Sequence, residues 1–86
     1  MKVVMYPAVL YYDNDADCYS VAIHDIGVFT EGETIEEAYL SAKEFLSVYT
    51  EYTIELKSDF EAATPYIDVK KENEKNIVLL VSKSLN

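Results

Sequence analysis

The stretch "DIGVFTEGETIEEAYLSAKEFL", Asp25–Leu46, decides the fold. Its first half reads as a strand: Gly27 permits a bend after Asp25, and "VFTEG", Val28–Gly32, has the composition of a short strand. Its second half reads as a helix. Thr34 and Glu37 stand three apart just ahead of a helical apolar pattern, the spacing of a capping box. Ile35, Ala38, Tyr39, Ala42, Phe45, Leu46, Tyr49, Tyr52 and Leu56 follow at steps that keep them on one stripe. Glu36, Ser41, Lys43, Glu44, Ser47 and Glu51 take the other side. A helix over Ile35–Glu55, lying across a sheet, is therefore predicted. Tight glycine-marked turns can cradle phosphates, but "GVFTEG" has too few glycines for that role. Glu33, Glu36 and Glu37 crowd the helix start, where they satisfy the helix dipole and exclude an anion. The turn is a joint with a negative outer side.

Upstream, "VVMYPAVLYYD" (Val3–Asp13) is a valine- and tyrosine-rich strand with Tyr6, Ala8, Leu10 and Tyr12 on one face. Pro7 lacks a ladder donor, so this strand is expected at an edge, or with the missing donor facing solvent. "DNDAD" (Asp13–Asp17) is a polar hairpin loop. "CYSVAIHD" (Cys18–Asp25) alternates as a second strand. Downstream, residues 57–76 form a polar connection interrupted by Tyr66–Val69, read as a short strand or an extended cover. "NIVLLVS" (Asn76–Ser82) is a compact branched run, expected to be a central strand buried on both faces. The order β-β-β-α-β describes an α+β layer, with a three-stranded antiparallel meander, a final strand and one long helix on one face. One domain over residues 1–86 is the expectation for this length, with a thin core.

Sixteen acids stand against seven lysines and no arginine, for a net charge of −9. Nucleic-acid binding needs clustered basic residues to release counterions, so no direct contact with nucleic acid is expected. An acidic surface favours a basic partner. No apolar run approaches the roughly 18–20 residues of a membrane span. The single Cys18 cannot form an internal disulfide, which fits a reducing cytosol, and it reads as a small structural hydrophobe and not a nucleophile.

Asp13, Asp15 and Asp17 match the first, third and fifth positions of a calcium loop, but Cys18 and His24 stand where that loop needs glycine and glutamate. The lone His24 and its neighbour Asp25 point to opposite faces of a strand, so they make no dyad. No catalytic residue, metal site or cofactor is expected. Between Asp13 and Glu37 there are eight acids and no lysine or arginine.

The same residues resemble the HicB antitoxin family of bacterial and archaeal toxin–antitoxin pairs. Members have Tyr-Pro-Ala and an apolar strand, then an acidic loop ending in an aromatic. Here these are Tyr6-Pro7-Ala8-Val9 and "DNDADCY". The family's turn element and helix start correspond to "HDIGVFTEGETIEEA", which keeps Asp25, Gly27, Thr30, Gly32, Thr34, Glu36, Glu37 and Ala38, and Ala42 matches a later small position. Both prolines of the family's turn are missing, Glu33 replaces the usual Asp, and nothing intervenes between Ile26 and Gly27, which implies a turn one residue shorter. The resemblance is strongest over residues 5–46.

The resemblance implies a partial ribonuclease H-like domain that neutralises HicA, a small basic mRNA-cleaving toxin, and that forms dimers or higher oligomers. Many members carry a DNA-binding segment after this domain. These 86 residues hold no such segment, so DNA binding is not expected of them. The leading expectation is an antitoxin-type module, not an enzyme, that covers the toxin's RNA-binding surface. Asp25, Glu31, Glu33, Glu36 and Glu37 are the candidate contacts, and Thr34 with Glu37 the helix cap. The alternatives are a freestanding oligomeric regulator without a toxin, or a remnant ribonuclease H-like nuclease, which would need carboxylates converging on divalent metals.

Overall fold

The computed structural model describes residues 2–85. Strands β1 (Lys2–Asp13), β2 (Cys18–Ile23) and β3 (Val28–Gly32) are followed by helices α1 (Ile35–Glu55) and α2 (Tyr66–Glu72) and by strand β4 (Ile77–Leu85). The strands form one antiparallel sheet in the order β3-β2-β1-β4. The α+β class, the meander and the long helix on one face agree with the sequence reading.

Local chemistry makes the joints. In the first hairpin the Asp13 carboxylate accepts the amides of Asp15 and Ala16 at 3.0 and 3.2 Å. Asp17 adopts a left-handed φ of 50° and its carboxylate accepts the Tyr12 hydroxyl. Tyr12 and Tyr19 face each other across the ladder with ring centroids 5.1 Å apart. The second turn closes through the Gly27 amide on the Ile23 carbonyl, with Gly27 at φ +64°, a value that favours glycine.

The strand positions correct two expectations. Strand β1 is central, and β4 is an edge. The reason is length: β4 pairs with β1 from Lys2 to Leu10, whereas β2 pairs only from Ala8 to Asp13. Pro7 therefore lies just past the end of β2. Its carbonyl accepts the His24 amide at 3.0 Å. In an antiparallel ladder N–H and C=O of one residue point the same way, so the missing donor is aimed at the point where β2 leaves the sheet. A central strand tolerates proline only at such a place.

Two small cores flank β1. On one face Tyr6, Ala8 and Leu10 pack with Val21, Ile23 and Val81 beneath Ala38, Ala42 and Leu46 of α1. On the other, Val9 and Val78 meet Val69 of α2. Residues 66–69 are thus helical, not the strand or extended cover expected from the sequence. Pro65 pre-sets the entry, its carbonyl accepts the amides of Asp68 and Val69, and Asn73 closes the far end by donating its side-chain amide to the Val69 carbonyl.

Helix α1 differs from expectation on its inner stripe. Its buried residues are Ala38, Ala42, Leu46, Thr50 and Thr53. The two threonines turn inward because their hydroxyls bond the helix's own carbonyls, at Leu46 and Tyr49, each at 2.7 Å. Phe45, Tyr52 and Leu56, expected in the core, remain 44%, 62% and 56% exposed. The helix sits close on the sheet at Gly32, where an added Cβ would lie 2.4 Å from the Ala38 nitrogen. Backbone cannot yield there as a flexible side chain can. Gly32→Ala is expected to lower stability by about 1–3 kcal/mol or more, measured by the denaturant midpoint.

Candidate functional site

The five acids singled out from the sequence fall in three places. Glu33, Glu36 and Glu37 cluster at the start of α1, all exposed. The Thr34 hydroxyl accepts the Glu37 amide at 3.1 Å. The Glu37 carboxylate reaches back to the amide of Glu33, one residue before the cap, at 2.9 Å. This variant of the box still satisfies two donors of the turn, and it points the remaining charge outward. Glu36 borders an open groove of about 570 Å³ lined by Ile35, Tyr39, Leu40, Leu79 and Leu80.

Glu31 is on β3, directly opposite Ser20 and on the sheet face away from α1. The Cys18 thiol points to its carboxylate at 3.8 Å. Burial and then the Glu31 charge push that thiol above its ordinary range, so Cys18 is a poor nucleophile.

Asp25 sits at the other end of the sheet and is half-buried. Both of its oxygens are engaged by Thr64: one accepts the Thr64 amide at 2.9 Å, the other its hydroxyl at 2.6 Å. Asp25 therefore fastens the segment between the helices rather than facing outward. The same segment is held by tyrosines. Tyr6 donates its hydroxyl to the Glu61 carbonyl at 2.7 Å, and the Glu61 amide donates to the Tyr49 hydroxyl at 2.9 Å. Tyr49 stands edge-on to both Tyr6 and Phe60. Burial first, and Tyr49 second, push the Tyr6 phenol well above its usual range, which keeps it a hydroxyl donor.

The Asp13 and Asp17 carboxylates serve the first hairpin itself, and among the described residues no three His, Cys, Asp or Glu side chains gather as a metal site. His24 is exposed. Among the described residues no helix is long and apolar enough to cross a membrane.

What the sequence reading missed is apolar. Leu40, Phe45, Val48 and Tyr52 stand out from α1, at 59%, 44%, 62% and 62% exposure. A helix with more large apolar side chains than one stripe can hold was the available signal.

Known relatives resolve what this arrangement belongs to. Residues 6–85 match the family described as HicB-like antitoxin of bacterial toxin–antitoxin systems. The chain belongs to the HicB-like antitoxin family. Its fold matches the crystal structure of the N-terminal domain of Burkholderia pseudomallei antitoxin HicB with a TM-score of 0.81 and 30% identity, covering 95% of this chain and 100% of that one. The crystal structure of the B. pseudomallei antitoxin HicB matches equally well, and there the chain spans 64% of the relative's length. A chain of a toxin–antitoxin complex from Streptococcus pneumoniae matches with a TM-score of 0.78 and 25% identity, over 94% of this chain and 69% of that one. No curated protein sequence matches it. In this HicB-like chain, the Asp25–Thr64 pair closes the domain. Asp25→Ala is expected to cost about 1–3 kcal/mol and to speed amide exchange at Thr64 in hydrogen-exchange measurements.

Proposed function

We propose that this HicB-like chain neutralises a small basic, RNA-cleaving toxin of HicA type by covering its RNA-binding surface, acting in the cytoplasm and without catalysis of its own. The observation that carries the reading is the family match over residues 6–85, together with a net charge of −9. A surface that grips RNA must present positive charge to phosphate. The acids exposed at the start of α1 compete for that charge, and the body of the domain then keeps RNA out. Glu33, Glu36 and Glu37 are the steering group in this reading, with Glu31 on the far face of the sheet. Asp25 contributes through the fold, since Thr64 occupies its oxygens.

Steering acts on encounter more than on residence. Replacing Glu33, Glu36 and Glu37 together by Lys is expected to slow association with a small basic toxin of HicA type and to flatten its salt dependence, with less change in dissociation. Stopped-flow binding at two salt concentrations measures both rates. Equal association rates for the two proteins at low salt would remove the steering role. Failure of the wild-type chain to bind any such partner would remove the antitoxin reading.

A second property rests on β4. This nine-residue strand forms a sheet edge with no proline and a single charge, Lys83, so it is poorly blunted against pairing. Self-association through a two-fold contact is the commonest closed solution. Light scattering at high micromolar concentration is expected to give a mass above the 9.8 kDa of one chain. A 9.8 kDa species alone at that concentration would show a monomer.

A further inference from the structure

We infer that the outward flank of α1, built by Phe45, Val48 and Tyr52, is the surface on which the basic toxin is anchored. This rests on the antitoxin reading above and assigns it a place on the molecule. Along a helix, residues seven apart return to nearly the same direction. Ser41 and Val48 form one such pair, Phe45 and Tyr52 another, and together they make a narrow stripe beside the buried one. Phe45, Val48 and Tyr52 are 44%, 62% and 62% exposed, so the rest of the described chain leaves much of each uncovered. Immediately beside this stripe runs a second row, Glu37, Glu44, Glu51 and Glu55, all exposed. The helix's one basic residue, Lys43, projects from the far side.

The chemistry of the occupant follows from these two rows. An apolar stripe with two aromatic rings supplies the kind of anchors that carry most of the affinity at protein interfaces. A row of four carboxylates alongside, with no base on that flank, rejects an acidic partner and rejects nucleic acid. It accepts a protein surface in which apolar side chains alternate with Lys or Arg. The acid row starts at Glu37, within the steering cluster, so encounter and anchoring share one continuous surface. A further apolar patch, at the free end of the β1–β4 ribbon, holds Val3 and Met5 with no acid beside them, and Lys2 and Lys83 lie on the opposite face of the same end. A basic partner is not drawn there.

The test is binding of the full chain to a small basic toxin of HicA type, measured by surface kinetics. Phe45→Ala combined with Tyr52→Ala is expected to weaken binding by roughly 30-fold or more, mainly through faster dissociation. Glu44→Lys combined with Glu51→Lys is expected to slow association at low salt. It changes only exposed side chains, so it reports even if the first variant folds poorly. Thermal melts of each variant verify the fold. Wild-type binding with both double variants indistinguishable from it would overturn the assignment of this surface and leave the antitoxin reading intact. Absence of wild-type binding would overturn both.

Discussion

The close approach of α1 to the sheet governs the rest of the molecule. Gly32 ends β3 directly against the backbone of Ala38, and the space between admits no Cβ. From that contact onward the helix faces the sheet with alanines and threonines, with Leu46 as its one large fully buried side chain. The bulk of the core comes from the sheet instead, from Tyr6, Leu10, Val21 and Ile23. The threonines enter this interior without an unmet hydrogen bond because their hydroxyls turn back on the helix. Small residues inside leave no room there for the helix's large ones. Phe45, Val48 and Tyr52 are outward because their positions on the helix lie beside the buried arc and not within it.

The remaining parts hold because tyrosine and aspartate tie irregular backbone to regular structure. The segment between the helices crosses from one face of the sheet to the other. It is fastened at Glu61 by Tyr6 and Tyr49, and at Thr64 by Asp25. Further along, Tyr66 donates to the Val78 carbonyl and Tyr39 to the Leu80 carbonyl. Large rings that bury a face and keep a donor suit a domain too small to cover all its backbone with aliphatic core. Among the described residues no buried side-chain polar atom lacks a partner.

These constraints separate the functions of the acids. Asp13 and Asp17 shape a hairpin, and Asp25 closes the domain. Glu37 serves the helix start with one oxygen and keeps its charge exposed. Glu44, Glu51 and Glu55 face solvent along α1 without such duties, next to apolar side chains that the fold leaves uncovered. A domain of the HicB-like antitoxin family thereby offers one flank that is both sticky and negative.

Local rules were enough for much of this. The strand of Val28–Gly32, the helix of Ile35–Glu55 and its cap at Thr34 depend on neighbours within a few residues, and those neighbours are adjacent in the chain. Alternation in β1 likewise placed Tyr6, Ala8 and Leu10 on one face. What tertiary structure alone decided was competition between distant segments. Pro7 argues for an edge only if β2 runs alongside it, and β2 stops one residue short. The apolar run of β4 looks central, yet one side of it remains open because β1 already has β2 on its other side. Helix α2 is stabilised by Val69 on Val9 and Val78, residues whose nearness no local pattern encodes. Asp25 looks like a surface acid until Thr64, 39 positions away, is brought to it. Apolar identity shows that Phe45 and Tyr52 can be buried; only which arc of the helix the sheet meets decides that they stay largely exposed.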